Sequence, residues 1–153
     1  MPVLSPKWNA ATLASGSVEW ETPPALFATL HRAHDFTIDA AASDENAKLP
    51  RYWTAHTDAL LQDWRGERVF CNPPFGRGIA AWMEKAWRET RDGCPLAVFL
   101  VPARTDTAWW HDYVEGVAHV RFLRGRVAYE QGGVPKQPAP FASCVITFSN
   151  TPT

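Results

Sequence analysis

The residues of this chain best suited to chemistry are Asn72-Pro73-Pro74-Phe75. They follow an apolar run, Val69-Phe70-Cys71, and precede Gly76-Arg77-Gly78 and an amphipathic segment. An exocyclic amine on a base has its lone pair delocalised into the ring, so it attacks a methyl donor poorly. Two acceptors aimed at its N–H bonds favour a pyramidal nitrogen and free that lone pair. Asn72 offers a side-chain oxygen and Pro73 a backbone carbonyl. Proline fixes φ and has no N–H, so Pro73-Pro74 is stiff and rich in acceptors. Phe75 can stack on the ring, a contact worth roughly 1–3 kcal/mol in single-strand binders. Together they amount to electrostatic preorganisation at the nitrogen where positive charge develops. The same residues also suit a strand-ending turn, since Asn-Pro and Pro-Pro mark turns. The flanking strand, aromatic ring and helix favour the chemical reading.

The surrounding elements must place that tetrapeptide at the mouth of a site. Thr22-Pro23 reads as a helix start, with Thr22 as the capping residue and Pro23 at the first helical position, and Leu26, Phe27, Leu30 and Ala33 give the helix an apolar face. Short strands are expected over Phe36-Thr37-Ile38 and Arg68 to Cys71. A helix spans Gly78 to Arg91, with Ile79, Trp82, Met83, Ala86 and Trp87 on one stripe and Gly93 as its stop. The apolar run Leu96 to Val101 is a strand covered on both faces. Thr107 to Val114 reads as a helix, and Val120 to Leu123, Arg126 to Tyr129 and Cys144 to Phe148 read as strands. Gly132 to Pro140 reads as a loop. Strands alternating with helices predict an α/β fold with an open, mostly parallel sheet, helices on both faces and antiparallel strands at the C-terminal end. Sites in such sheets lie outside the carboxyl ends of the strands, where Asp39, Asn72-Pro73-Pro74-Phe75 and Pro102-Ala103-Arg104 all fall.

The chain has 153 residues and a formal charge of −1, which fits one domain with a sizeable core and no global basic field. From Val117 onward, Arg121, Arg124, Arg126 and Lys136 face only Glu130, a local net of +3. This stretch is the best candidate for a phosphate-contacting surface, against the alternative of scattered solvated arginines. Three cysteines without a CxxC pair, and five histidines without metal-ligand spacing, suggest neither a disulfide framework nor a metal site. No signal peptide or membrane-length run is visible, so a reducing cytoplasmic setting is expected. Residues 1–17 read as a flexible arm and 18–153 as a single domain, with no separate target-recognition domain.

The chain resembles the phage-type DNA N6-adenine methyltransferase family. The resemblance runs from about Val18 to Phe148. It rests on Trp20-Glu21-Thr22-Pro23, Phe36-Thr37-Ile38-Asp39-Ala40-Ala41, Asn46, Tyr52, Asp58-Ala59-Leu60, Trp64, Asn72-Pro73-Pro74-Phe75, Leu100-Val101-Pro102-Ala103, Gly125-Arg126 and Ala139-Pro140-Phe141-Ala142-Ser143. It implies a Rossmann-like fold that binds S-adenosylmethionine (SAM) and transfers its methyl group to adenine N6 in DNA. It implies a phage or prophage gene, with protection from restriction as a possible role. Asn72 and Pro73 would hold the target amine and Phe75 would stack on the flipped base. Asp39, Ala40 and Ala41 would sit in the SAM pocket, and Asp58 would accept the N6 amine of the SAM adenine. Thr22 and Pro23, with the neighbourhood of Trp20, would close over the methionine end. Arg77, Arg104, Arg124, Arg126 and Lys136 would contact DNA. Two departures stand out. The glycine-rich cofactor turn is replaced by Asp39-Ala40-Ala41-Ala42-Ser43. No second strand with a terminal acid is visible between Ala42 and Asp58, so the sheet is expected to be abbreviated at that edge.

Each single residue has a plainer reading beside the functional one. Asp39 can cap a turn, Asp58 can be a surface residue, Thr22-Pro23 can be a cap alone, and Arg104 can pair with Asp106. Gly125-Arg126 can be a hairpin turn with a solvated Arg. Trp82 and Trp87 read as core, and one of Trp109 and Trp110 reads as core with its neighbour more exposed. At the level of function, the tetrapeptide alone also fits cytosine N4, an RNA adenine or a protein glutamine as acceptor, and a non-catalytic nucleic-acid-binding module is the rival of another class.

Overall fold

Near-continuous burial along the central strands, with successive side chains on opposite faces, explains how this sequence makes two hydrophobic layers. The computed structural model describes residues 20–76 and 78–150. The expected arm over 1–17 lies outside the described residues, as does Arg77. In chain order the elements are helix α1 (Pro24–His34), strands β1 (Ile38–Asp39) and β2 (Arg68–Cys71), helix α2 (Ile79–Arg91), and strands β3 (Leu96–Pro102), β4 (His119–Phe122), β5 (Glu130–Gln131), β6 (Val134–Pro135) and β7 (Ser143–Ser149). The main sheet has the order β1-β2-β3-β7-β4. β1, β2 and β3 are parallel, and β7 is antiparallel to both β3 and β4. Four of the five strands therefore run one way, with β7 reversed.

Successive strand residues point to opposite faces. Phe70, Leu96, Val98, Leu100 and Val145 pack with Phe27 and Leu30 of α1. Val69, Cys71, Ala97, Phe99, Val101, Cys144 and Ile146 pack with Ile79, Trp82, Met83 and Ala86 of α2. Each helix thus covers one face, as the two-sided apolar run of β3 predicts. Trp64 is fully buried and lies between Trp53 and Phe99 at centroid separations of 6.2 and 6.4 Å. Its Nε1 donates to the Ala59 carbonyl at 2.9 Å, which removes the cost of burying an indole N–H. On α2, Lys85 and Glu89 are turned inward rather than to solvent. They pair at 2.7 Å, and their heads also reach the Gln62 carbonyl and the Trp64 N–H.

The edge beside β1 is short, as expected. One parallel bridge joins Asp39 to Tyr52, supported by Trp53 N–H to Asp39 C=O at 2.9 Å and Asp39 N–H to Arg51 C=O at 3.1 Å. Arg51 is clamped in turn to Glu67 at the start of β2.

Five expectations need correction. Thr22 does not cap α1: Pro23 is the capping residue and no side chain caps the helix. Thr107 to Val114 is not a regular α-helix but ends in a wide π-type turn over Trp110–Val114. Adjacent residues of an α-helix lie about 100° apart; with the wider turn both Trp109 and Trp110 are buried, so neither is the exposed partner. Trp87 is only half-buried, with the Arg91 guanidinium 4.6 Å from its ring centroid. Finally, Arg126 to Tyr129 forms no strand. The facing segment contains Pro135, Pro138 and Pro140, which lack N–H donors, so pairing is limited to Lys136 N–H to Tyr129 C=O and Ala139 N–H to Val127 C=O. The strands lie instead at β5 and β6, joined by Gly132 and Gly133 at φ +60° and +78°, a turn that glycine permits.

Candidate active site

The carboxyl ends of β1, β2 and β3 lie on one edge of the sheet, and the polar residues expected to act there follow them directly. Asp39 closes β1, Asn72 follows β2 and Ala103-Arg104 follow β3. A cleft at this edge, open to solvent and with a cavity volume of about 20 Å³, is lined by Glu21, Thr22, Asp39, Ala41, Asn46, Lys48, Phe70 and Asn72. Of the residues expected from sequence, Thr22, Asp39, Ala41 and Asn72 meet there. Ala40 does not line the cleft: its side chain is buried and its N–H pairs with the Phe70 carbonyl. Pro23 serves as the helix cap.

Asn72 is held from one side. Its Nδ2 donates to the Trp20 carbonyl, and its Oδ1 is buried without a partner. This bond fixes which way the amide points, so the free end is the acceptor. The Pro73 carbonyl likewise accepts no hydrogen bond among the described residues. Two acceptors without partners among the described residues therefore sit on consecutive residues. Phe75 packs in an aromatic cluster. Trp20 stacks near-parallel to it at 6.3 Å, and Tyr129 and Phe141 meet it edge-on, each at 5.7 Å. The buried Tyr129 hydroxyl shares a 2.9 Å hydrogen bond with Ser143 Oγ at the start of β7.

Asp39 is 3% exposed, and burial raises its carboxyl above the usual range, an effect partly offset by two backbone donors. Oδ2 accepts from the Lys48 N–H at 3.0 Å and Oδ1 from the Ala41 N–H at 3.4 Å. Asp39 therefore shapes the loop of residues 40–48 that stands where a glycine-rich turn was absent. Ser43 and Asn46 brace that loop reciprocally, through Ser43 N–H to Asn46 Oδ1 at 2.7 Å and Asn46 N–H to Ser43 Oγ at 3.2 Å.

Asp58 is buried and is not among the residues that line the cleft. It adopts φ +54°, unusual for a non-glycine residue. Its Oδ1 accepts from the Leu60 N–H at 3.1 Å, capping a short 3₁₀ turn over Ala59–Leu61, while Oδ2 is buried without a partner. The reading of Asp58 as a surface residue is thereby excluded, and so is Thr22 as a cap alone. The Thr22 hydroxyl, on a residue 2% exposed, has no partner and sits in the cleft wall.

Sequence reasoning missed Glu21, Asn46 and Lys48 as lining residues. Glu21 joins separate elements: Oε1 accepts from the Gly133 N–H at 3.1 Å, Oε2 from Asn46 Nδ2 at 3.3 Å, and its backbone pairs with Glu130 in both directions at 2.9 Å. No periodicity marks such residues. Glu21 and Asn46 were set apart only by their place in the family-like stretches, and nothing in the sequence marked Lys48.

Arg104, Arg124, Arg126 and Lys136 are exposed. Arg104 makes no ion pair with Asp106. Arg126 Nη1 lies 3.5 Å from the Ala139 carbonyl. Burial pushes the Cys94 thiol up to about 11, that of Cys144 to about 12 and that of Cys71 well above its usual value, so none of these offers a thiolate near neutral pH.

A sequence profile of the DNA N-6-adenine-methyltransferase (Dam) family matches residues 9–151. The chain belongs to this family. It is also 27% identical over 116 residues to the DNA N-6-adenine-methyltransferase of Escherichia phage T1, an alignment covering 74% of this chain and 48% of the relative. The chain thus spans about half the length of the curated relative it matches.

Proposed function

We propose that this chain transfers a methyl group from SAM to the N6 amine of adenine in DNA, and that residues 18–153 act as one methyltransferase domain on an abbreviated Rossmann-like sheet. One observation carries the reading. Thr22 Oγ1, Asp58 Oδ2 and Asn72 Oδ1 are all buried without partners, and all three belong to residues that the family resemblance gives to the cofactor or the acceptor. A buried polar atom left unpaired costs roughly 1–3 kcal/mol, so such atoms are expected where a ligand completes them.

The residues fit the cofactor. A buried carboxylate oxygen on Asp58 matches an adenine amine, and the Thr22 hydroxyl with the charged cleft residues matches an amino-acid end. SAM, when bound, supplies an electrophilic methyl carbon. Asn72 Oδ1 and the Pro73 carbonyl accept from the two N–H bonds of the target amine and raise its nucleophilicity. The Trp20 carbonyl keeps the Asn72 amide in that orientation. Phe75 presents its ring to the base, which leaves the duplex at a cost of a few kcal/mol. Exposed Arg104, Arg124, Arg126 and Lys136 supply phosphate contacts. The phage source of the relative supports a phage or prophage origin.

Thermal unfolding with SAM tests the cofactor assignment: ligand at about 100 times its dissociation constant adds roughly 2.7 kcal/mol. A rise in Tm with SAM, in the presence of DNA if needed, is expected. No rise under either condition contradicts the assignment and favours a non-catalytic nucleic-acid-binding module.

A further inference from the structure

We propose that Lys48 anchors the carboxylate at the amino-acid end of the methyl donor. The inference rests on the SAM-dependent reading above and deepens it by naming the group that recognises the donor's negative end.

Among the described residues, the charged side chains lining the cleft are Glu21, Asp39 and Lys48. Both carboxylates accept from neutral donors only: Glu21 from Gly133 N–H and Asn46 Nδ2, Asp39 from the N–H groups of Ala41 and Lys48. Their negative charges are therefore solvated by dipoles and unmatched by an ion pair. The Lys48 ammonium has no hydrogen-bond or ion-pair partner among the described residues, although the residue is half-buried in the cleft wall. It stands close enough to Asp39 for its charge to offset a small part of the rise that burial causes in that carboxyl.

The cleft thus presents two negative charges and one positive. SAM carries the inverse set: a sulfonium and an α-ammonium, both positive, and one α-carboxylate. Lys48 is the cation in the cleft available to that carboxylate, and its backbone is fixed by the bond to Asp39 Oδ2. The unpartnered Thr22 hydroxyl on the same wall supplies a second donor to it. Partly desolvated charge pairs of this kind are worth more than exposed ones.

Calorimetric titration of the whole protein, with unmethylated duplex DNA present, provides the test. The probes are S-adenosylhomocysteine and its decarboxylated analogue, neither of which can transfer a methyl group. The wild type is expected to bind the carboxylate-bearing probe about 10- to 100-fold more tightly, the range for a hydrogen bond to a charged group. Lys48→Met keeps most of the stem and removes the charge. It should lose that preference by weakening only the carboxylate-bearing probe, while Lys48→Arg should retain it. Equal weakening of both probes by Lys48→Met, or no weakening of either, overturns the proposal. If the wild type binds neither these probes nor SAM, the underlying SAM-dependent reading fails instead. Thermal unfolding of each variant separates loss of the fold from loss of the contact.

Discussion

Replacing Asn72 by Ala removes two separable things. One is the hydrogen bond from Nδ2 to the Trp20 carbonyl; the other is the unpartnered Oδ1 acceptor. The first loss is structural. A fully buried carbonyl left unpaired costs roughly 1–3 kcal/mol, an upper bound for this part-buried bond, and for a chain of this size each kcal/mol lowers Tm by about 2–4 °C. At assay temperature most molecules remain folded as long as total stability is several kcal/mol, so this loss alone hardly changes the rate. The second loss is chemical. Removing one preorganised partner from a developing charge lowers turnover by about 10²–10³-fold, or roughly 2.7–4 kcal/mol. The assay is single-turnover methyl transfer at saturating SAM and DNA, with SAM affinity and Tm measured on the same preparation. Asn72→Asp separates the two effects, because it keeps an acceptor but sets a carboxylate oxygen against the Trp20 carbonyl. It should lose stability like Asn72→Ala while retaining more activity. If Asn72→Ala transfers methyl groups within tenfold of wild type, or if its rate falls only as far as its folded fraction, the reasoning is wrong.

Further outcomes follow from other sites. Asp58→Asn presents an amide where the unpartnered Oδ2 lies, and Asn tolerates the φ of +54° at that position; stability should hold or rise slightly while SAM affinity drops about 10- to 100-fold, as read by calorimetry. Arg51 and Thr37 hold the Glu67 carboxyl below its usual 4.5, so the pair stabilises the fold above that pH and the contribution is lost as pH falls through the depressed value. With Arg51 60% exposed on its side chain, Glu67→Gln should cost only about 0.5–1 kcal/mol at neutral pH, and the gap from wild type should close on acidification in denaturant melts. Arg124→Ala and Lys136→Ala should each weaken DNA binding across sequences and shallow its log–log salt slope by about 0.9. An unchanged slope for both removes this surface from the interface.

Much of the architecture was legible because burial imposes a period. β3 is apolar at every position and is covered on both faces; α2 shows its stripe at helical spacing; Asn72-Pro73-Pro74-Phe75 ends β2, where the strand signal placed it. What stayed hidden depends on contacts between segments distant in sequence. Thr22 looks like a cap until Pro23 takes that position. Trp109 and Trp110 look like one buried and one exposed residue until a wide turn buries both. Arg126 to Tyr129 has strand-forming residues, but its partner is interrupted by prolines. Trp20 acts on Asn72 through a main-chain carbonyl, which no side-chain pattern reports. Glu21 and Lys48 sit in irregular polar stretches and gain meaning only when the cleft assembles around Asp39.

Activation of an adenine amine by Asn72 and Pro73, as proposed above, is tested most directly through the methylated product. The protein should be incubated with methyl-labelled SAM and unmethylated DNA, the product digested to nucleosides, and the labelled nucleoside identified. Label on N6-methyladenine from wild type, and its near-complete loss with Asn72→Ala, are expected of that activation. Label on N4-methylcytosine, or no labelled nucleoside from DNA under conditions where SAM binds, contradicts it.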